Sequence, residues 1–260
     1  RLSRSGTPPG LSTGPVSIWL AGVSIGAADP NRASYRKLHR NQIGDHLRAT
    51  TRSHTIQLGG TWAENVNWID ELADFNGSYQ YATLTDFARD LAGDGKNYSL
   101  YRQSLGRADR KFRIRDAAVY AQDNWRALRR LTVDAGLRWD KATLPQPTAR
   151  DAVHWRTGTI PSPNLAFSAR VGAAYMLDDN TVARFGFGMF YAPYSGEFID
   201  SLLLGNARQQ INILANRTYT GAPAFPAAAA STTSAPAGTK RIVYATSKFW
   251  YSYSPQTTFS

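Results

Sequence analysis

Three stretches of this chain put apolar and polar residues on opposite parities, and a chain so patterned can bury its apolar residues only as strands with one greasy face. Leu131, Val133, Ala135, Leu137 and Trp139 alternate with Thr132, Asp134, Gly136, Arg138 and Asp140. Leu165, Phe167, Ala169, Val171, Ala173, Tyr175 and Leu177 lie opposite Asn164, Ser168, Arg170 and Gly172. After Asp178-Asp179-Asn180, a run suited to a tight turn, Thr181, Ala183, Phe185, Phe187, Met189 and Tyr191 oppose Arg184, Gly186 and Gly188. The pattern predicts consecutive antiparallel strands over 131–140, 164–177 and 181–191. A fourth strand is expected where His54, Ile56, Leu58 and Trp62 alternate with Thr55, Gln57, Gly59 and Thr61, and another through Val243, Ala245, Phe249, Tyr251 and Tyr253. Segments 15–26, 36–49 and 110–125 read as strands of undecided parity.

The links between strands are unequal. Those near 126–130 and 178–180 are short, whereas 66–109, 142–163 and 192–240 are long. Short turns at one end and long loops at the other are the habit of outer-membrane barrels, whose long loops lie outside the cell. Trp62, Trp125, Trp139, Tyr175 and Tyr191 stand near strand ends, as interfacial girdles require. No apolar run approaches the roughly 18 residues of a membrane helix, and interleaved lumen residues would explain the mean hydropathy of −0.39. The expected fold is all-β: an antiparallel transmembrane β-barrel. A soluble β-sandwich carbohydrate-binding domain shares the alternation and the aromatics and stays open as an alternative. Within the loops, Leu84, Phe87, Ala88 and Leu91 recur at helical spacing before Gly93, which predicts one short helix over 83–93. The Ala-, Pro-, Ser- and Thr-rich stretch 217–240 reads as a mobile loop. No internal repeat or second domain is evident.

Catalytic chemistry finds little support. The chain has no cysteine, so thiolate metal sites and thiol nucleophiles are excluded. No G-x-S-x-G elbow exists, and His39, His46, His54 and His154 lack ligand spacing; His54 reads as a strand-start residue. Gly186-Phe187-Gly188 lacks the third glycine and helix of a dinucleotide loop; Asp178-Asp179 is explained by the turn. The expectation is a non-enzyme with no cofactor and no metal. Thirty Lys and Arg against nineteen Asp and Glu give +11, but the arginines alternate with apolar residues along the chain instead of clustering, which argues against nucleic-acid binding. The candidate functional residues are the charges opposite the greasy face: Asp134, Arg138, Asp140, Arg170 and Arg184. In a barrel they face the lumen, where they either hold a plug or line a solute path; pairing with a plug is the favoured role.

These stretches also resemble a known family. Asp74-Phe75-Asn76-Gly77-Ser78-Tyr79 followed by Leu84 to Gly93 is similar to the F-x-G-x-Y…L-x-D-F-L-x-G segment of Oar-like TonB-dependent receptors. Tyr120 to Arg126 resembles its Y-A-Q-D-x-W-R, and Leu131 to Asp140 its L-T-L-N-x-G-L-R-Y-E/D. Thr157 to Pro161, Asn164 to Gly172 and Ala183 to Tyr191 follow in family order. The chain departs at Ala88, where a bulkier apolar residue is usual, and at Ser168-Ala169, where Pro-Arg is common.

The resemblance implies a large, plugged barrel in the outer membrane of a Gram-negative bacterium. There an unidentified extracellular ligand is bound by the loops and taken up by energy that the TonB complex delivers through the plug. Surface adhesion or export is the alternative for Oar-like proteins. The chain starts at Arg1 without Met and ends at Ser260 without a terminal aromatic. Residues 1–260 are therefore expected to be a piece of the barrel with eight or nine strands, without plug and remaining strands. By itself such a piece should have two unpaired sheet edges and should aggregate in water.

Overall fold

Most of the alternating segments become strands of one antiparallel sheet, the wall. The computed structural model describes residues 17–20, 23–26, 35–162, 166–229, 240–246 and 251–260. In chain order the strands are β1 (Ser17–Leu20), β2 (Val23–Gly26), β3 (Tyr35–Thr50), β4 (His54–Asp70), β5 (Ser78–Tyr81), β6 (Leu100–Gly106), β7 (Asp109–Leu128), β8 (Leu131–Thr143), β9 (Ala166–Met176), β10 (Val182–Tyr191), β11 (Gln210–Ala215) and β12 (Tyr253–Phe259). Helix α1 (Leu84–Leu91) lies between β5 and β6, and α2 (Gly196–Leu204) between β10 and β11. The wall has the order β12-β10-β9-β8-β7-β4-β3, antiparallel throughout.

Turn chemistry explains why its short links sit at one rim. Between β9 and β10 the Leu177 N–H donates to the Thr181 carbonyl at 2.9 Å, and the Asp178 carboxylate accepts the Asn180 N–H at 2.8 Å. Residues 129–130 and 51–53 close the neighbouring hairpins at the same rim. The sequence expectations for 131–140 and 181–191 are met; in 164–177 the strand occupies Ala166–Met176, with Asn164 and Leu165 outside the described residues.

The register fixes the parities that the sequence left open. Tyr120 lies opposite Arg138, Gly59 opposite Tyr120 and Gly44 opposite Thr61. One face therefore carries the even positions of β3, β7, β8, β9, β10 and β12 with the odd positions of β4. The other carries Leu137, Phe167 and Phe185, which remain 51, 47 and 47% exposed. Among the described residues no second sheet covers that face, so the β-sandwich alternative falls. The apolar run Leu131 to Trp139 spans roughly 20 Å along the membrane normal at a tilt of about 40°. Strand β7, at 20 residues, projects far beyond such a band.

Several loop expectations need correction. The wall holds seven strands among the described residues, not eight or nine, because β5, β6 and β11 join β1 and β2 in a second five-stranded sheet of order β11-β6-β5-β1-β2. The supposed loops 66–109 and 192–240 thus carry strands; they pair across a sequence distance that no local pattern reveals. Among the described residues there are two α-helices, not one. The terminal strand runs through Tyr253–Phe259 instead of 243–253; Val243 and Ala245 pack under α2 without joining a ladder, and Phe249 is outside the described residues. The Ala- and Pro-rich stretch, in its described part 217–229, is anchored, since Phe225 inserts among Tyr79, Tyr81 and Phe87. Tyrosine hydroxyls hold it as well: Tyr98 donates to the Pro223 carbonyl at 2.8 Å, and Tyr79 to that of Ala227.

Helix α1 forms as its caps dictate. Thr83 accepts the Asp86 N–H at 3.1 Å, and Gly93 leaves the helix at φ +112°. From its last turn the buried Asp90 accepts the Tyr81 hydroxyl at 2.9 Å and both the backbone N–H and the side-chain amide of Asn97. Asp90→Ala leaves these donors unpaired, so a loss of roughly 2–4 kcal/mol is expected. Unfolding titration of the variant against Leu91→Ala, an exposed neighbour, checks it; equal midpoints would remove Asp90 from this role.

Candidate functional site

The inward face of the wall is polar and dominated by arginine. Arg36, Arg40 and Arg48 stand on β3, Arg110 and Arg126 on β7, and Arg138, Arg170 and Arg184 on the next three strands, with only Asp116, Asp134 and Asp140 as acids. Among the described wall positions no lysine faces this side. A guanidinium offers a planar fork that matches carboxylates, phosphates and amide carbonyls, and lysine does not. The five residues singled out in the sequence, Asp134, Arg138, Asp140, Arg170 and Arg184, all share this face, but the structure gathers only three of them. Arg138 binds Asp140 through two guanidinium nitrogens at 2.7–3.0 Å, and Arg170 donates to Gln122. Asp134 lies nearer the short-turn rim, where it accepts the Asn124 amide at 2.6 Å. Arg184 lies beyond it, where β10 meets β12.

Arg138, Asp140 and Arg170 line a cavity of about 560 Å³, together with Arg40, Asn65, Asp116, Tyr120, Tyr191, Tyr194 and Tyr251. The roof is not wall. The segment after β10 folds inward, and α2 seats Ile199 and Leu202 on Ile69, Phe112, Ile114 and Ala142, which are inward residues of the outer half of the wall, and on Leu144 just past β8. Ser195 caps α2 by accepting the Phe198 N–H at 3.2 Å. Gly196 sits against Asn67, where a Cβ would fall 2.7 Å from the amide oxygen. Beside the helix, Tyr194 stacks on Tyr251 with centroids 4.8 Å apart, and Tyr251 meets Tyr191 edge-on at 6.0 Å. Burial pushes the Tyr251 phenol up to about 12, so it remains a neutral donor at physiological pH.

A buried ion pair fixes this roof to the wall. Arg110 of β7 meets both carboxylate oxygens of Asp200 on α2 at 2.5 Å, and the two side chains are 15 and 5% exposed. The same guanidinium donates to the carbonyls of Glu71 and Ala108. Arg36 closes the group by pairing with Glu71 at 2.5 Å. The arrangement can enclose a solute of a few rings between arginine forks and tyrosine faces.

Sequence reading missed Arg40, Asp116, Tyr194 and Tyr251 as lining residues, and it set Tyr191 on the apolar outer parity, whereas Tyr191 lines the cavity. Arg40 and Asp116 fall in the segments of undecided parity. Tyr194 and Tyr251 stand in the loop, and only the inward fold brings them to the wall.

His54 opens β4 as expected, but its Nδ1 lies 2.7 Å from Asp123, and its ring stacks on Trp125 at 5.7 Å. The pair ties β4 to β7 near the short-turn rim, on the outward face.

No described helix is long and apolar enough to cross a membrane. Comparison with curated proteins and with solved structures returns no match. A family model described as outer membrane beta barrel domain matches residues 3–260. Seven long antiparallel strands, an exposed apolar outer face, a polar inner face and this match together place the chain in the outer membrane beta barrel domain family, as part of an outer-membrane barrel protein.

Proposed function

We propose that the chain is barrel wall and extracellular loop of a TonB-dependent receptor, which binds an extracellular solute in the lumen and takes it up with energy delivered through a plug. The observation that carries the reading is the inward-folded roof: α2, held by Arg110 and Asp200, covers a cavity walled by Arg40, Arg138 and Arg170 and by tyrosines. An adhesin would have little use for a roofed chamber inside its wall. Asp134 and Arg184, below the chamber, are assigned to docking the plug, and Arg138, Asp140 and Arg170 to lining the solute path. The seven strands and Oar-like motifs fit the wall of the large, plugged class of barrel.

The test uses the protein in its native outer membrane. Site-specific cross-linking from the short-turn rim should capture the periplasmic domain of the TonB protein, and more of it when the inner-membrane proton gradient is intact. Capture that ignores the gradient, or no capture with a known receptor as positive control, would turn the reading to adhesion or export.

A further inference from the structure

Outward residues of β3, β4, β7 and β8 change character sharply above the apolar band. In the register, Trp62 lies beside Ala117, which lies beside Lys141. One row outward are Asn41, Glu64, Arg115 and Thr143; the next holds His39, Val66 and Arg113; the next holds Lys37, Trp68 and Lys111. Five cations, Lys37, Lys111, Arg113, Arg115 and Lys141, thus form an exposed column with one acid, Glu64, among them. Glu64 is shared between Arg115 at 2.9 Å and Arg113 at 3.8 Å. Lys37 and Lys111 both reach toward the Trp68 ring, at 5.9 and 4.7 Å from its centroid, with no carboxylate in their row. Beside the column, where β8 stops at Thr143 and leaves the outer end of β7 without a partner on that edge, a cavity of about 710 Å³ opens between Arg107, Lys111, Arg113 and Arg115 and the chain at 145–148. The next row outward is acidic again, with Asp109 held by Arg107 at 2.8 Å.

We infer that this column is a binding site for the phosphate groups of an outer-leaflet glycolipid. Its position selects the occupant. The column starts at Trp62, one row outward of Trp139, where these aromatics close the apolar band, so the groups nearest to it are lipid headgroups. Rows lie about 5 Å apart along the membrane normal at a tilt of about 40°. The column therefore climbs about 15 Å, while a simple phospholipid head region is only about 5–8 Å deep. Such a lipid reaches Lys141 and Arg115. The cations above it need anionic groups carried outward on a sugar head. Each cation of a membrane-apposed cluster adds attraction for surface phosphate, and lysine and arginine stems lie along the wall while their heads meet it. The inference stands on the barrel's place in the outer membrane and does not depend on uptake.

The membrane-extracted protein, exchanged into non-ionic detergent, is titrated with an acylated glucosamine disaccharide carrying two phosphate monoesters, with the same lipid after phosphatase treatment, and with phosphatidylglycerol, while bound lipid is counted by native mass spectrometry. The phosphorylated glycolipid should bind tightest, and K37Q/K111Q/R113Q should weaken it by roughly fivefold per cation removed. The inward variant Arg126→Gln should leave it unchanged. Equal binding of the dephosphorylated lipid, or wild-type affinity in the triple variant, overturns the site. Phosphatidylglycerol binding as tightly as the glycolipid overturns the choice of occupant. Should the triple variant fail to fold, the three lipids on the unaltered protein still decide.

Discussion

Asp200→Ala is expected to unseat α2 from the mouth of the barrel, at about 3–5 kcal/mol, because it strands the Arg110 guanidinium in a buried site without its charge partner. The remaining acceptors, the carbonyls of Glu71 and Ala108, supply hydrogen bonds but no counter-charge. The loss should be local. The roof would swing out as a unit, and the wall ladders do not depend on it. Limited proteolysis of the detergent-solubilised protein measures this: cleavage within 192–252 should accelerate strongly while the wall stays resistant. Arg110→Met combined with Asp200→Leu should restore much of the protection, since an apolar pair removes both buried charges. Cleavage at the wild-type rate in Asp200→Ala would show that packing of Ile199 and Leu202 alone holds the roof.

Val171→Arg is expected to cost about 2–4 kcal/mol in the refolding equilibrium in lipid vesicles, since Val171 sits midway along the outward apolar run of β9 and an arginine there must meet hydrocarbon. Its neighbour Arg170 already stands on the inward face. Arg170→Gln removes one hydrogen bond to Gln122 and should cost no more than about 1 kcal/mol. The two positions are adjacent in sequence and opposite in environment, so the comparison isolates sidedness from local strand propensity. Equal penalties would mean that the exposed face of Leu137, Phe167 and Phe185 does not meet lipid.

The sequence alone determined the strands at the centre of the wall. From Leu131 to Tyr191 one parity is apolar because one face meets lipid along the whole length, and the short turn at 178–180 is written in Asp178, whose carboxylate accepts the Asn180 N–H. The same rule failed for β3 and β7, for a physical reason. Ala117 and Val119 of β7 are apolar on the outward parity, but Phe112 and Ile114, a few residues earlier, are apolar on the inward one. Below the membrane boundary the dry side of the strand is the lipid side; above it water wets the outer surface, and the dry side is the one beneath α2. Apolar parity therefore inverts partway along a single strand, and a period-two reading of 110–125 finds both faces greasy. The same inversion separates Trp62 from Ile69 on β4.

Only the tertiary structure decided what the long connections do. Nothing local to 78–81 or 210–215 says that these segments share a sheet, because β6 pairs with both, and its ladder with β11 spans more than a hundred residues of chain. Gly106 shows the constraint from the other side. It turns the chain between β6 and β7 at φ +118°, and a Cβ there would lie 2.4 Å from the Gln209 carbonyl oxygen. The requirement for glycine arises from a segment distant in sequence. The roofed chamber is of the same kind. Arg138 and Asp140 were legible as inward charges from alternation alone, whereas Tyr194, Asp200 and Tyr251 acquire their roles only when the loop folds back over the wall, since their neighbours are set by distance in space and not along the chain.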